Sequence, residues 1–228
     1  MALNSNKVGG GNGGGNRVEQ PVIDAGVYPA RIAQVIDMGL QPQRPYKGQD
    51  KPPAPEVMLT YELVDTFMVD ENGEELEDKP RFLSEILPLH NLKADKAKST
   101  QRYLAADPNN VFNGDFSKIV DAAVNVAVVH NQVGEKTYVN IASIAAMRAK
   151  DADKCPALKN EPKVFDLDEP DMEIFSSLPQ WIQDKIKANL NYQGSALQTA
   201  LEGAPKKEKK AEAPKKEEEP KDEQAPWD

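Results

Sequence analysis

Cysteine is almost absent from this sequence. Cys155 stands alone among 228 residues, so no disulfide can form within the chain, a usage that fits a reducing cytoplasm. Histidine is scarce too. His90 and His130 lie far apart with no acidic or nucleophilic motif around either, and Cys155 has no CxxC partner. Neither a zinc site, nor a catalytic constellation, nor a cofactor is expected. Asp168, Glu169 and Asp171 come nearest to a cation site, but their spacing fits no known loop and Pro170 interrupts them. Long apolar runs are missing, and the N-terminus lacks the apolar core of a secretory signal, so no membrane association is expected. Positive charge is in deficit: 28 Lys and Arg face 37 Asp and Glu, for a net charge of -9.

What is present is polarity, unevenly spread. Hydrophobic residues make up 39% of the chain and the mean hydropathy is -0.63, too polar for a compact domain of this length. The surplus sits at the ends. Residues 1–20 are dominated by Gly and Asn and are read as a flexible, disordered arm. The glycines are not a phosphate loop, because no strand precedes them and no Gly-Lys-Ser/Thr follows. Residues 203–228 consist of Lys, Glu, Pro and Ala with little apolar content before Trp227, and are read as a disordered tail. Lysines lead this tail and acids prevail from Glu217 onward.

Residues 21–150 are predicted to form a β-rich domain. Gly26–Met38 reads as a strand interrupted by Pro29, followed by a Pro- and Gly-rich loop, Gly39–Pro55. Glu56–Thr66 alternates, with Val57, Leu59, Tyr61 and Leu63 on one face and Met58, Thr60, Glu62 and Val64 on the other. An acidic turn at Asp70–Gly73 leads to a third strand, Arg81–Leu89. Asp95–Ala106 has helical propensity and ends before Asp107-Pro108. Ala122–His130 and Thr137–Ala146 read as a hairpin turning near Gly134. Three strands, a helix and two strands make the order of an OB-like five-stranded barrel with one inserted helix. SH3-like barrels and other small β-folds share such an order.

Residues 151–202 are read as a linker and an amphipathic helix. In Met172–Tyr192, Ser177 is a candidate cap and Pro179 lies near the first turn. Trp181, Ile182, Lys185, Ile186 and Leu190 then recur at helical spacing. This apolar face is expected to pack on the chain's own barrel, with a second subunit or another protein as the alternative.

Four segments carry a resemblance: GVYPARIAQVIDMG, YELVDT, STQRYLAADPN and FSSLPQWIQDKIKANLNYQGS. They resemble, in the same order, phage single-stranded DNA-binding proteins with an OB fold and an acidic C-terminal tail. The resemblance spans roughly residues 21–228. It implies a non-catalytic role in phage DNA replication or recombination, in the host cytoplasm. The ending EQAPWD is similar to the tails of such proteins, though bacterial ones close on Pro-Phe, whereas here Trp227 precedes Asp228.

Binding single strands without sequence preference needs cations along the backbone and exposed aromatics to stack bases. The loop Gln43–Lys51 offers Arg44, Tyr46 and Lys47 together, with Lys51 close by. Arg81 and Phe82 open the third strand, and Lys93, Lys98, Arg102 and Tyr103 lie on or near the helix. Arg31 joins them if the first strand is regular. Across 79–103 the only acids are Glu85 and Asp95, so one basic face is compatible with the net charge. Trp227 and Asp228 are expected to recruit replication or recombination proteins, or to compete with DNA for the basic face. A different class fits the same composition: a β-barrel adaptor, inhibitor or DNA mimic acting through the Trp181 helix and the acidic tail.

Overall fold

Strands β1 (Gly26–Tyr46) and β2 (Gln49–Val69) pair antiparallel along nearly their whole length. They form the centre of the computed structural model, which describes residues 18–203. The first part of β1 pairs on its other side with β4 (Ala123–Val133), and β2 pairs with β3 (Glu75–Pro88). Strand β5 (Lys136–Ala146) completes a hairpin with β4, turning at Gly134 and Glu135. The order is β3-β2-β1-β4-β5, all antiparallel. A sixth strand, β6 (Lys163–Phe165), joins β1 parallel at Gln34–Ile36.

The sequential order three strands, helix, two strands is as expected, but the expected closure is absent. β3 and β5 are the two edges of an open sheet, and no ladder joins them. Helix α1 (Lys98–Ala106) packs against β3, β4 and β5 instead. Its Arg102 donates to both oxygens of Glu85 on β3, at 2.8 and 3.2 Å. The Tyr61 hydroxyl adds a bond to Glu85 at 3.0 Å. Burial, and then the Glu85 charge, push the Tyr61 pKa well up, so the phenol stays a donor.

Two cores share the central hairpin. On one face, Ile32 and Val35 of β1 and Val57, Leu59, Tyr61 and Leu63 of β2 meet Val124, Val126, Ile144 and Tyr103. The opposite face of the hairpin is covered too. Ile36, Met38 and Met58 meet Phe165, Phe175, Leu178, Ile182, Ile186 and Leu197. The cover comes from β6 and from helices α3 (Met172–Ser177), α4 (Gln180–Lys187) and α5 (Ala196–Glu202), which follow the single turn α2 (Ala149–Ala152). Residues 151–202 therefore complete the sheet and its second core.

The helix expected to open near Ser177 and Pro179 is α4, with Pro179 rather than Ser177 at its cap position, and a separate short helix, α3, precedes it. Asp171 caps α3 through the N–H groups of Glu173 and Ile174, while Ser177 ends α3 and donates to the Ile174 carbonyl. α4 buries Ile182 and Ile186 and leaves Trp181 exposed; the expected five-residue face is cut short because α4 ends at Lys187, so that Leu190, also exposed, lies beyond it.

Buried polar groups hold the cover down. Glu62, 1% exposed, accepts from the N–H groups of Lys159 and Asn160 and from Asn160 Nδ2. Gly39 has φ +72, and a Cβ there would lie 2.7 Å from Asn189 and 2.9 Å from Leu167, so only glycine lets these segments close on β1.

Arg102→Met strands Glu85 against Tyr61, and urea unfolding should show a loss of about 3–5 kcal/mol; the Glu85→Leu/Arg102→Met pair should recover most of it. Asp107, after α1, is held below the usual carboxylate range: burial alone would raise its pKa, but bonds from Phe112, Val111 and Tyr103 outweigh that. A depressed folded pKa stabilises only while the group is ionised. Asp107→Asn should therefore lower the melting temperature at neutral pH, with the gap closing as pH falls below 3.8.

Candidate nucleic-acid interface

β1 and β2 continue past the two cores. From Glu56 to the turn they project as a bare ribbon, roughly 25 Å long at about 3.3 Å per residue. Its tip is Lys47-Gly48, with φ +52 and +76, the two-residue turn whose twist suits a hairpin. The Gly39–Pro55 segment expected as a loop is thus mostly strand. Pro42, Pro45, Pro52, Pro53 and Pro55 are tolerated because each ribbon strand has one neighbour only and the pairing carries several register shifts.

The ribbon's base is clamped. Gln41 Nε2 donates to the Lys185 carbonyl at 3.0 Å, and Leu190 N to the Leu40 carbonyl at 2.9 Å. Lys185 Nζ lies 2.8 Å from buried Glu56 Oε2, at ion-pair distance though without hydrogen-bond alignment. Gln43 Nε2 donates to the other Glu56 oxygen at 2.9 Å.

Tyr46, 59% exposed, sits beside the tip with no core to serve. The ammonium groups of Lys51 and Lys47 lie 4.9 and 5.4 Å from its ring centroid. Arg44 is exposed on the same ribbon, and Asp50 is its one acid between Gln41 and Pro55. Leu89 N donates to the Pro55 carbonyl at 2.7 Å, which ties the β3–α1 loop to the ribbon's base. Lys93, Lys96 and Lys98 stand exposed on that loop and at the start of α1. At the far end of β2 the sign reverses: Asp65, Asp70, Glu71, Glu74, Glu75, Glu77 and Asp78 crowd the β2–β3 turn. The sheet is therefore polarised along its length despite the net charge.

The other sequence candidates are placed differently. Arg31 donates to the carbonyls of Pro156, Asp121 and Cys155 at 2.7, 2.7 and 3.0 Å, holding the connection to the C-terminal cover. The first strand is not regular there, since the pairing shifts between Ile32 and Gln34. Arg102 and Tyr103 are buried, and a buried side chain offers no surface to a ligand. Arg81 donates to the Pro21 carbonyl at 2.9 Å. Phe82 is exposed on the outer face of β3, opposite Glu62 and away from the ribbon. Trp227 and Asp228 lie outside the described residues, as does the bulk of the arm and the tail. Among the described residues, no group of three or more His, Cys, Asp or Glu could hold a metal ion, and no helix is long and apolar enough to cross a membrane. Compared with family models and with curated proteins, the chain matches none.

Removing Tyr46 should leave folding intact, with Tyr46→Ala within about 0.5 kcal/mol of the parent. Arg31→Ala should lose at least about 1.5 kcal/mol, because charge-assisted bonds to three carbonyls disappear. Paired urea titrations distinguish the ribbon residue from the structural one.

Proposed function

We propose that this chain binds single-stranded DNA with little sequence preference, as a phage replication or recombination protein in the host cytoplasm. One observation carries the reading: an exposed tyrosine flanked by two lysines on a clamped ribbon with no core of its own. Stacking surface and phosphate-neutralising charge are the two things a single strand asks for. The strand order β3-β2-β1-β4-β5, with a helix after β3, supports an OB-like reading in which the barrel is open between its third and fifth strands. In OB folds, oligonucleotides use the face of the second and third strands together with the first and last hairpin loops. Here the C-terminal cover sits over Met58 on the outer face of β2. Binding is thereby shifted toward the first hairpin, the ribbon.

The acidic tail, ending in Trp227 and Asp228, belongs to the same reading. It recruits partner proteins and competes with DNA for the ribbon through short-range, salt-screened attraction. A second reading draws on Trp181 and Leu190, both more than half exposed on the C-terminal cover: a non-enzymatic adaptor, inhibitor or DNA mimic.

Titration into labelled single strands of mixed sequence, with duplex as control, separates the two. Single strands should bind more tightly than duplex. Lys47→Ala/Lys51→Ala should flatten the slope of log affinity against log salt by about 1.4, near 0.7 per cation removed. Tyr46→Ala should weaken binding roughly tenfold through the lost stack. No binding at low salt, even with the tail removed, hands the case to the adaptor.

A further inference from the structure

The turn after α1 takes no part in the sheet, yet it is fixed from beneath by buried polar groups. Asp107, 5% exposed, accepts from the N–H groups of Val111 and Phe112, both at 2.9 Å, and from the Tyr103 hydroxyl at 2.9 Å. The same hydroxyl accepts from Gly114 N at 2.8 Å. Tyr103 is itself fully buried, tilted against Phe116 with ring centroids 5.2 Å apart. Asn110 and Asn113 both hold φ +50, a conformation asparagine tolerates better than most residues. Between them, Val111 is 72% and Phe112 44% exposed. Two buried side chains thus hold a loop whose visible product is a pair of apolar side chains in water.

Exposed cations border this turn. Leu92 packs against Gly114, joining this turn to the loop that bears Lys93, Lys96 and Lys98. Lys118 is exposed on the 3-10 turn Phe116–Ile119 that follows. Of the nearby acids, Asp95 is exposed, Asp115 is engaged by the N–H and hydroxyl of Ser117, and Asp37 and Asp166 line the cavity beneath Gly114–Ser117. A partner with both a flat apolar surface and negative charge fits this arrangement, and a stacked base beside its phosphates has both. A loop already held in place gives up little freedom on binding.

We propose that Phe112 is a second base-stacking position, with Val111 beside it and with Lys93, Lys96 and Lys118 meeting the adjoining phosphates. The inference rests on the single-strand reading above. It extends the binding path from the ribbon across the β3–α1 and α1–β4 loops, and makes Asp107 and Tyr103 positioning residues.

The test uses the full chain and a labelled mixed-sequence single strand of about 30 nucleotides, longer than one OB-type site. Phe112→Ala should weaken binding about tenfold. Phe112→Trp should retain affinity and add tryptophan quenching on oligonucleotide binding beyond that of the parent. Asp107→Asn, which loosens the loop but keeps the ring, should weaken binding by a smaller factor than Phe112→Ala. Phe112→Ala binding within twofold of the parent, while Tyr46→Ala binds weakly, overturns this inference and leaves the ribbon standing. Failure of the parent chain to bind the strand at all overturns both.

Discussion

The central hairpin must be covered on both faces over its inner half, and most of the architecture answers that requirement. Ile32, Leu59, Tyr61 and Leu63 point into one core, and Ile36, Met38 and Met58 into the other. A sheet curled around α1 satisfies the first set only. The second would lie in water without residues 163–197, and burying such side chains is the main favourable term in folding. The chain crossing to that second face runs over Glu62 and past Arg31. Each charge is matched to backbone groups of the crossing segment: N–H groups for the carboxylate, carbonyls for the guanidinium. Buried Glu62 and half-buried Arg31, which would otherwise be destabilising, become latches.

The same cover sets where function can sit. It ends at the base of the ribbon, where Lys185 meets Glu56 and Leu190 meets Leu40. Beyond that point β1 and β2 have neither face covered, and the residue types change from Val, Ile, Leu and Met to Arg, Lys, Tyr, Pro and Gln. A bare ribbon on a fixed base is a poor use of chain for stability and a good one for reaching around a flexible polymer. On the single-strand reading proposed above, the acidic β2–β3 turn, at the other end of β2, would repel the same polymer and leave one end for it to approach.

Much of the sheet was legible in the sequence because its strands obey period two where one face is apolar. Glu56–Thr66 shows this best: Val57, Leu59, Tyr61 and Leu63, expected on one face, share one core, although Met58, Thr60 and Glu62 on the other face are buried as well. Three features were hidden. The ribbon carries prolines, which ordinarily argue against strand, and its unpaired outer edges are what permit them. β6 is three residues long inside an acidic stretch and pairs with a strand distant in sequence, so local pattern carries no trace of it. Arg102 and Tyr103 were candidates as a cation and an aromatic on the helix, although Tyr103 has the apolar neighbours of a docking residue. Only the fold brings Glu85 and Asp107 beneath them. In the candidate site, Arg44, Tyr46 and Lys47 were legible from an aromatic and cations clustered without apolar neighbours. Phe112 was not, since a lone Phe between asparagines reads equally well as core.

The central claim is that the ribbon tip touches the bases of a single strand. Its most direct test is photocrosslinking of the full chain to iodouracil-substituted single strands, with the crosslinked residues located by mass spectrometry. Crosslinks at Tyr46 are expected. Crosslinks confined to residues off the ribbon and its neighbouring loops, or none at low salt, would contradict it.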